Sequence, residues 1–325
     1  MGSDPIALPV LNFLFEEAKS QVVLAGIFTQ PDRRRGRGRQ LQPNPVKQWT
    51  VQRKLPVLQP EKPREETVAW IQTQGVDLLL VMAYGHILGP AILEAPRLGA
   101  VNLHASLLPA FRGASPIAGA LAAGVTMTGV TLMRMTPAMD AGPTADVERC
   151  LIPPDADAAT LSTALAQASV PLMRRNLTGL ITNSLQFQNQ DASRATYTRK
   201  LVKADGLVDF AAPAVELERR IRALHPWPGS YFTLHETVIK IGRALADEDI
   251  HTTATHGTVL RHASDALVVA VGGGVLKLEY LQRPGGRMLP CASFLRGFTI
   301  PVGATLQGGP MKPLSAKAPL TLRTP

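Results

Sequence analysis

The residues best suited to chemistry are Asn102 and His104, which stand two apart in the segment Asn102-Leu103-His104-Ala105-Ser106-Leu107-Leu108-Pro109. An apolar run that reads as a strand leads into this segment. On an extended strand, alternate side chains point to the same face. A carboxamide and an imidazole directed to one point can hold a developing oxyanion and move a proton. By itself, Asn-x-His also describes a histidine that closes a strand end without doing chemistry. A second candidate follows the next apolar run, in Thr136-Pro137-Ala138-Met139-Asp140-Ala141-Gly142. A carboxylate in this glycine-closed loop, on the same sheet edge, would favour and orient an imidazolium at His104. Alone, Asp140 also reads as a turn residue.

The elements that must position these groups follow from periodicity. Residues 21–28, 77–83, 99–104 and 129–135 are apolar and strand-like. Residues 65–74, 115–123 and 157–180 carry helical patterns, with Ser115 and Pro116 forming a helix start. This alternation predicts an α/β fold with a mostly parallel sheet whose carboxyl edge gathers the ligands. Residues 185–206 turn polar and read as a linker. Beyond them come an amphipathic helix over 215–224 and several short strands with glycine turns, including one at Gly272 to Gly274. A small OB-like barrel is expected over 207–303, with a flexible tail over 304–325. Residues 1–184 form the first predicted domain.

The chain of 325 residues carries a net charge of +9, with 45% hydrophobic, 18% charged and only 5% aromatic residues. That composition describes a globular protein with an aliphatic core, and the positive charge is compatible with a polyanionic partner. The two cysteines, Cys150 and Cys291, have no metal-ligand or disulfide-scaffold spacing, so neither a metal nor a disulfide framework is expected. No apolar run is long enough for a membrane helix, and a cytoplasmic protein is expected. Arg33, Arg34, Arg35, Arg37 and Arg39 fall within seven residues, interleaved with Gly36 and Gly38. Such a run is either a solvated loop or an arm that grips phosphates. Lys203, Lys240 and Arg243 are candidates to extend a basic track, or simply solubility charges.

The segments N-L-H-A-S-L-L-P, F-R-G-A-S-P-I and T-G-V-T-L-M-R-M-x-x-x-M-D-A-G resemble the folate-dependent formyltransferase family. The resemblance extends over T-Q-P-D-R-R-R-G-R-G-R-Q at residue 29, A-Y-G-H-I-L at 83, Y-T-R-K-L at 197 and H-P-W-P-G-S-Y at 225, and so covers nearly the whole chain. It implies a Rossmann-like formyltransferase domain followed by the OB-like domain. Asn102, His104 and Asp140 match the family's catalytic trio. Ser106, Leu107, Leu108 and Pro109, with Tyr84 nearby, match its reduced-folate contacts. The implied co-substrate is 10-formyltetrahydrofolate, without a metal. The arginine run resembles that of members acting on initiator methionyl-tRNA, and a monomer is expected. An amino-sugar nucleotide acceptor, or a non-catalytic RNA-binding relative, are the alternatives. In the family, a Gly-Ser-Asp-Pro-like turn follows a first parallel strand. Here Gly2-Ser3-Asp4-Pro5 opens the chain, so a first domain lacking that strand is expected.

Overall fold

The computed structural model describes residues 1–35, 38 and 40–320. Arg37 and Arg39 of the expected arm, and residues 321–325 of the expected tail, lie outside the described residues. The chain forms two compact units. The first comprises Met1–Pro116, Thr126–Ile152 and Ser162–Tyr197; the second comprises Ile117–Val125, Pro153–Leu161 and Thr198–Pro325.

In the first unit, short helix α1 (Leu8–Asn12) precedes β1 (Ile27–Phe28), and β2 (Arg33–Arg35) pairs with β3 (Gln40–Gln42). Asn44 caps α2 (Pro45–Gln52), its side chain accepting from Lys47 N–H at 3.0 Å. Then come β4 (Val57–Leu58), α3 (Glu65–Thr73), β5 (Leu79–Val81), α4 (Pro90–Glu94), β6 (Ala100–His104) and β7 (Arg112–Gly113). Gly75, at φ +59°, follows the α3 segment and stops it. Past α5 (Pro116–Ala123), which from Ile117 on belongs to the second unit, follow β8 (Met127–Arg134), β9 (Thr144–Leu151) and, from Ser162 on, the long α6 (Ala158–Ile181). The main sheet runs β5-β6-β8-β9, with β6 in its interior. A core of Phe28, Ile71, Leu79, Val81, Tyr84, Leu88, Ile92 and Leu93 packs beside it.

The mostly parallel Rossmann-like sheet is not what forms. In the main sheet β5–β6 is parallel, as is the separate pair β1–β4, whereas β6–β8 and β8–β9 are antiparallel. The connection between β8 and β9 is a short loop without a helix. A parallel return needs a crossover of a dozen or more residues, so β9 can only come back antiparallel. Apolar runs identify strands but carry no direction. Residues 22–26, expected to belong to the first strand, form no regular strand, and Val23 is 88% exposed. They border an apolar cleft of about 530 Å³ shared with Leu78, Leu79 and Leu80. Residues 1–3 occupy one end of that gap: Gly2 N–H donates to Phe28 O at 3.0 Å, and Met82 N–H to Met1 O at 2.9 Å. Burial lowers the Met1 amino group to a pKa of about 5.

The second unit contains β10 (Tyr197–Thr198) at its start, α7 (Ala214–Leu224), β11 (Ser230–Leu234), β12 (Thr237–Asp247), β13 (Val259–His262), β14 (Leu267–Val271), β15 (Gly274–Gln282), β16 (Leu289–Pro290) and α8 (Cys291–Gly297). The sheet order is β11-β12-β15-β14-β13, with β16 beside β15, all antiparallel. His235 and Glu236 join β11 to β12 with both φ values positive, 43° and 64°, the geometry of a two-residue hairpin that matches strand twist. The expected OB-like barrel is therefore corrected. Among the described residues, β11 and β13 end the sheet without pairing to one another, so it stays open. Short strands with glycine turns describe an open antiparallel sheet as well as a closed one. α7 buries Leu217 and Ile221 against β12 and β15. Residues 306–314 pack rather than hanging loose. Leu306 and Leu314 are 2% and 4% exposed, and Gln307 exchanges backbone hydrogen bonds with Thr233.

A buried ion pair ties this unit together. Arg199 donates to both Asp205 oxygens, at 2.8 and 2.6 Å, and to Pro313 O, while Arg220 reaches Lys312 O and Asp205 O. Burial alone would raise the Asp205 pKa. Hydrogen bonds from the Arg199 side chain and Val202 N–H, with the charges of Arg199 and Arg220, outweigh it and hold the carboxyl below its usual value. The stabilisation is thus complete above the unfolded-state carboxylate pKa and lost as pH falls through the lower folded one. Asp205→Ala leaves the buried Arg199 guanidinium without its carboxylate and removes the charge facing Arg220, and is expected to cost about 3–5 kcal/mol in chemical denaturation at pH 7. The difference from the parent should shrink in acid below that window.

Candidate functional site

Asn102 and His104 occupy alternate positions of β6, so the pleat directs both to one face. Asn102 pairs in register with Val81 on one side and Met133 on the other, and His104 with Thr131. Because β6 is flanked on both sides, neither residue can shift without breaking ladder bonds. Asn102 is 8% exposed, so its carboxamide is almost fully withdrawn from solvent.

His104 is 6% exposed, and its Nε2 lies 3.0 Å from Phe111 O. A carbonyl only accepts, so Nε2 carries a proton and Nδ1 is the nitrogen left for chemistry. His104 Nδ1 stands 3.7 Å from Asp140 Oδ1. At that separation a carboxylate attracts an imidazolium but does not hydrogen-bond it, a spacing common in sites that tighten on substrate. The other carboxylate oxygen accepts from Gly113 N–H at 2.7 Å. Asp140 has φ +49° and Phe111 φ +58°, left-handed conformations that non-glycine residues hold only when their surroundings enforce them. Gly142 is required for the same loop, since a Cβ there would lie 2.0 Å from Arg134 O.

The enforcing contacts come from residues that sequence reasoning passed over. Thr196 Oγ1 accepts from Phe111 N–H at 2.8 Å, and Thr196 O from Arg112 N–H at 2.8 Å. Arg112, 5% exposed, donates from Nε and Nη2 to Gln190 Oε1 at 3.1 and 2.7 Å. Gln190 Nε2 in turn donates to Asp140 O and Gly142 O. Arg112 lay within a motif, but nothing marked it as buried. Gln190 and Thr196 lay in a polar stretch that reads as linker.

The expected folate-contacting segment is a tight loop. Ser106 is fully buried and its hydroxyl donates to Ala110 O at 2.6 Å, so that group is committed within the loop. Thr131 Oγ1 donates to Ser106 O and accepts from Leu108 N–H, binding the loop to β8. Leu107, Leu108 and Pro109 are half-buried and present apolar surface. Tyr84 is 2% exposed within the core of the first unit. Its hydroxyl has no partner among the described residues, and burial raises its pKa to about 12. Among the described residues, no group of three or more His, Cys, Asp or Glu side chains is arranged to hold a metal ion. Nor is any helix there long and apolar enough to cross a membrane.

The arginine run begins as one strand of a hairpin rather than as a loop throughout. Arg33 pairs with Gln42, Arg34 with Leu41 and Arg35 with Gln40; Arg33 and Arg34 are exposed. Asp32 anchors its base through Lys47 at 2.7 Å and Gln59 at 2.8 Å. These hydrogen bonds hold the Asp32 carboxyl below its usual pKa.

The family profile described as "Formyl transferase" matches residues 9–177, and "Formyl transferase, C-terminal domain" matches residues 200–299. A methionyl-tRNA formyltransferase of Roseiflexus castenholzii is 40% identical over 309 residues, covering 95% of this chain and 98% of its own. One from Pseudomonas syringae pv. tomato is 42% identical over 267 residues, covering 82% and 84%. Among solved structures, the sugar 3N-formyltransferase WlaRD superposes with a TM-score of 0.62 at 15% identity, over 88% of this chain and 97% of that one. The N-formyltransferase of Helicobacter canadensis gives 0.61 at 15% identity, over 87% and 97%. At that identity the likeness is one of fold. By the profiles across both halves and by relatives matched over nearly the full length, the chain belongs to the formyltransferase family, among the methionyl-tRNA formyltransferases.

Proposed function

We propose that the protein transfers the formyl group of 10-formyltetrahydrofolate to the amino group of initiator methionyl-tRNA, with Asn102, His104 and Asp140 as the catalytic residues. The observation that carries the reaction is the 40% identity, over 95% of the chain, to a methionyl-tRNA formyltransferase. What supports the residues is a carboxamide and an imidazole on one face of β6, with a carboxylate oxygen 3.7 Å from the imidazole.

The amine nitrogen of the acceptor attacks the formyl carbon. A C–N bond forms and the former carbonyl oxygen becomes an oxyanion. Asn102 donates a hydrogen bond to that oxygen, which matters more in the transition state than in the ground state. The proton on the attacking amine must reach N10 of the departing folate as the C–N10 bond breaks. His104 Nδ1 is the nitrogen free to carry it, because Nε2 is bonded to Phe111 O. Asp140 stabilises the imidazolium formed in passing. The formyl carbon is already activated, so the protein's share is positioning and charge stabilisation. Leu107, Leu108 and Pro109 supply apolar surface for the reduced folate ring. With its hydroxyl turned inward, Ser106 supports that loop instead of reaching outward. Tyr84, in the core of the first unit, is the further folate contact that the family resemblance implies.

The arm supplies affinity for the acceptor. Arg33, Arg34, Arg35, Arg37 and Arg39 offer planar donor forks for phosphate oxygens, and the hairpin base at Asp32 sets where the arm emerges.

Two tests follow. Labelled formyl from 10-formyltetrahydrofolate is expected to appear on methionyl-tRNA and not on an amino-sugar nucleotide supplied in parallel. Asn102→Ala and His104→Ala should each lower kcat on the order of a hundredfold or more with the melting temperature nearly unchanged. Transfer at the parent rate by either variant removes that residue from the mechanism. Neutralising Arg33, Arg34, Arg35 and Arg37 together is expected to raise KM for methionyl-tRNA and flatten its dependence on salt, since fewer counterions are released on binding. An unchanged KM and salt slope would rule the arm out as a tRNA contact.

A further inference from the structure

Asp140 is held from two directions by groups outside its own loop. From one side, Gly113 N–H donates to Oδ2 at 2.7 Å. From the other, the two hydrogens of the Gln190 carboxamide go to the carbonyls of Asp140 and Gly142, at 2.8 and 2.7 Å. These two carbonyls bracket the turn on which the carboxylate is mounted. Asp140 itself has φ +49°, a conformation it would leave if the carbonyls were released.

A carboxamide can present either end to its neighbours, so something must fix its orientation. Arg112 does so: its Nε and Nη2 both point at Gln190 Oε1, at 3.1 and 2.7 Å. A guanidinium only donates, which forces the amide oxygen toward it and the amide hydrogens toward the loop. Arg112 is 5% exposed, and its guanidinium lies 5.9 Å from the centre of the Tyr197 ring. Its backbone N–H is pinned by Thr196 O. The bracket therefore joins three stretches of chain far apart in sequence: β7, the loop between β8 and β9, and residue 190.

We infer that Gln190 is a positioning residue for formyl transfer, acting through Asp140, with Arg112 setting the direction of its carboxamide. The inference rests on the catalytic reading of Asp140 given above. Gln190 touches neither substrate nor the imidazole; it fixes the backbone that aims the carboxylate at His104 Nδ1. Loss of its two donors lets the turn relax, and misplacement of a reacting group by about 1 Å costs roughly a hundredfold in rate.

The test compares Gln190→Glu and Gln190→Met with Asp140→Asn. Gln190→Glu keeps the bond to Arg112 but sets carboxylate oxygen against the two carbonyls, while Gln190→Met removes donors and acceptor at similar volume. Each variant is assayed for kcat and for KM of both substrates, at a temperature where circular dichroism shows it folded. Both Gln190 variants are expected to lose about ten- to a hundredfold in kcat with both KM values nearly unchanged. A kcat within about twofold of the parent in both variants, or a loss confined to KM, overturns the inference. Asp140→Asn separates the two layers. If it alone collapses, Asp140 is catalytic and Gln190 does not position it; if it turns over like the parent, the reading of Asp140 itself has failed.

Discussion

The hydrogen bond between His104 Nε2 and the carbonyl of Phe111 is the contact on which the proposed mechanism depends. It commits one ring proton to the backbone and leaves Nδ1 to face Asp140. An imidazole free to turn would divide itself between two tautomers, only one of which can exchange a proton at the site. The bond works because Phe111 is itself immobile. Its N–H is bound to Thr196 Oγ1, and the neighbouring Arg112 is bound to Thr196 O. A strand fixed on both edges carries the ring, and a loop fixed by a threonine carries its partner.

Strain and support are concentrated at the same place. Phe111 and Asp140 both occupy left-handed backbone conformations, and the polar groups around them are paired almost entirely with backbone. Such an arrangement stores local cost in exchange for placement, and catalytic sites are where that exchange is worthwhile. The second unit shows the contrasting use of buried polarity. Arg199, Asp205 and Arg220 meet no catalytic group; they bind the segment after residue 304 to α7 and the start of the unit.

Part of this was legible in the chain itself. That Asn102 and His104 share a face could be read from their two-residue spacing on a strand, and both lie on β6. The approach of Asp140 to His104 could not be read from a shared edge: β8 runs antiparallel to β6 and its end at Arg134 pairs with Val101, so the loop doubles back to bring Asp140 Oδ1 to 3.7 Å from His104 Nδ1. The helices over 65–74, 115–123 and 157–180 declared themselves through period and caps, and the structure forms α3, α5 and α6 there. The direction of β8 and β9 was not legible, because apolar runs are the same read forwards or backwards. Nor was the open sheet of the second unit, since closure depends on whether β11 meets β13 and no residue pattern within either strand reports that. Residues 22–26 have the composition of a buried strand but border a cleft and form none. The bracket of Arg112 and Gln190 was hidden for a different reason: its members lie 78 positions apart and look like ordinary surface residues.

The most direct measurement is the protonation pattern of the His104 ring, read by nitrogen NMR on protein labelled at histidine with the other histidines assigned. The account requires the neutral ring to carry its proton on Nε2, and requires Phe111 to be the acceptor, seen as a coupling or shift lost when the loop is perturbed at Thr196. A neutral ring protonated on Nδ1 would contradict it, because the nitrogen facing Asp140 would then be unable to take up the proton that the reaction must move.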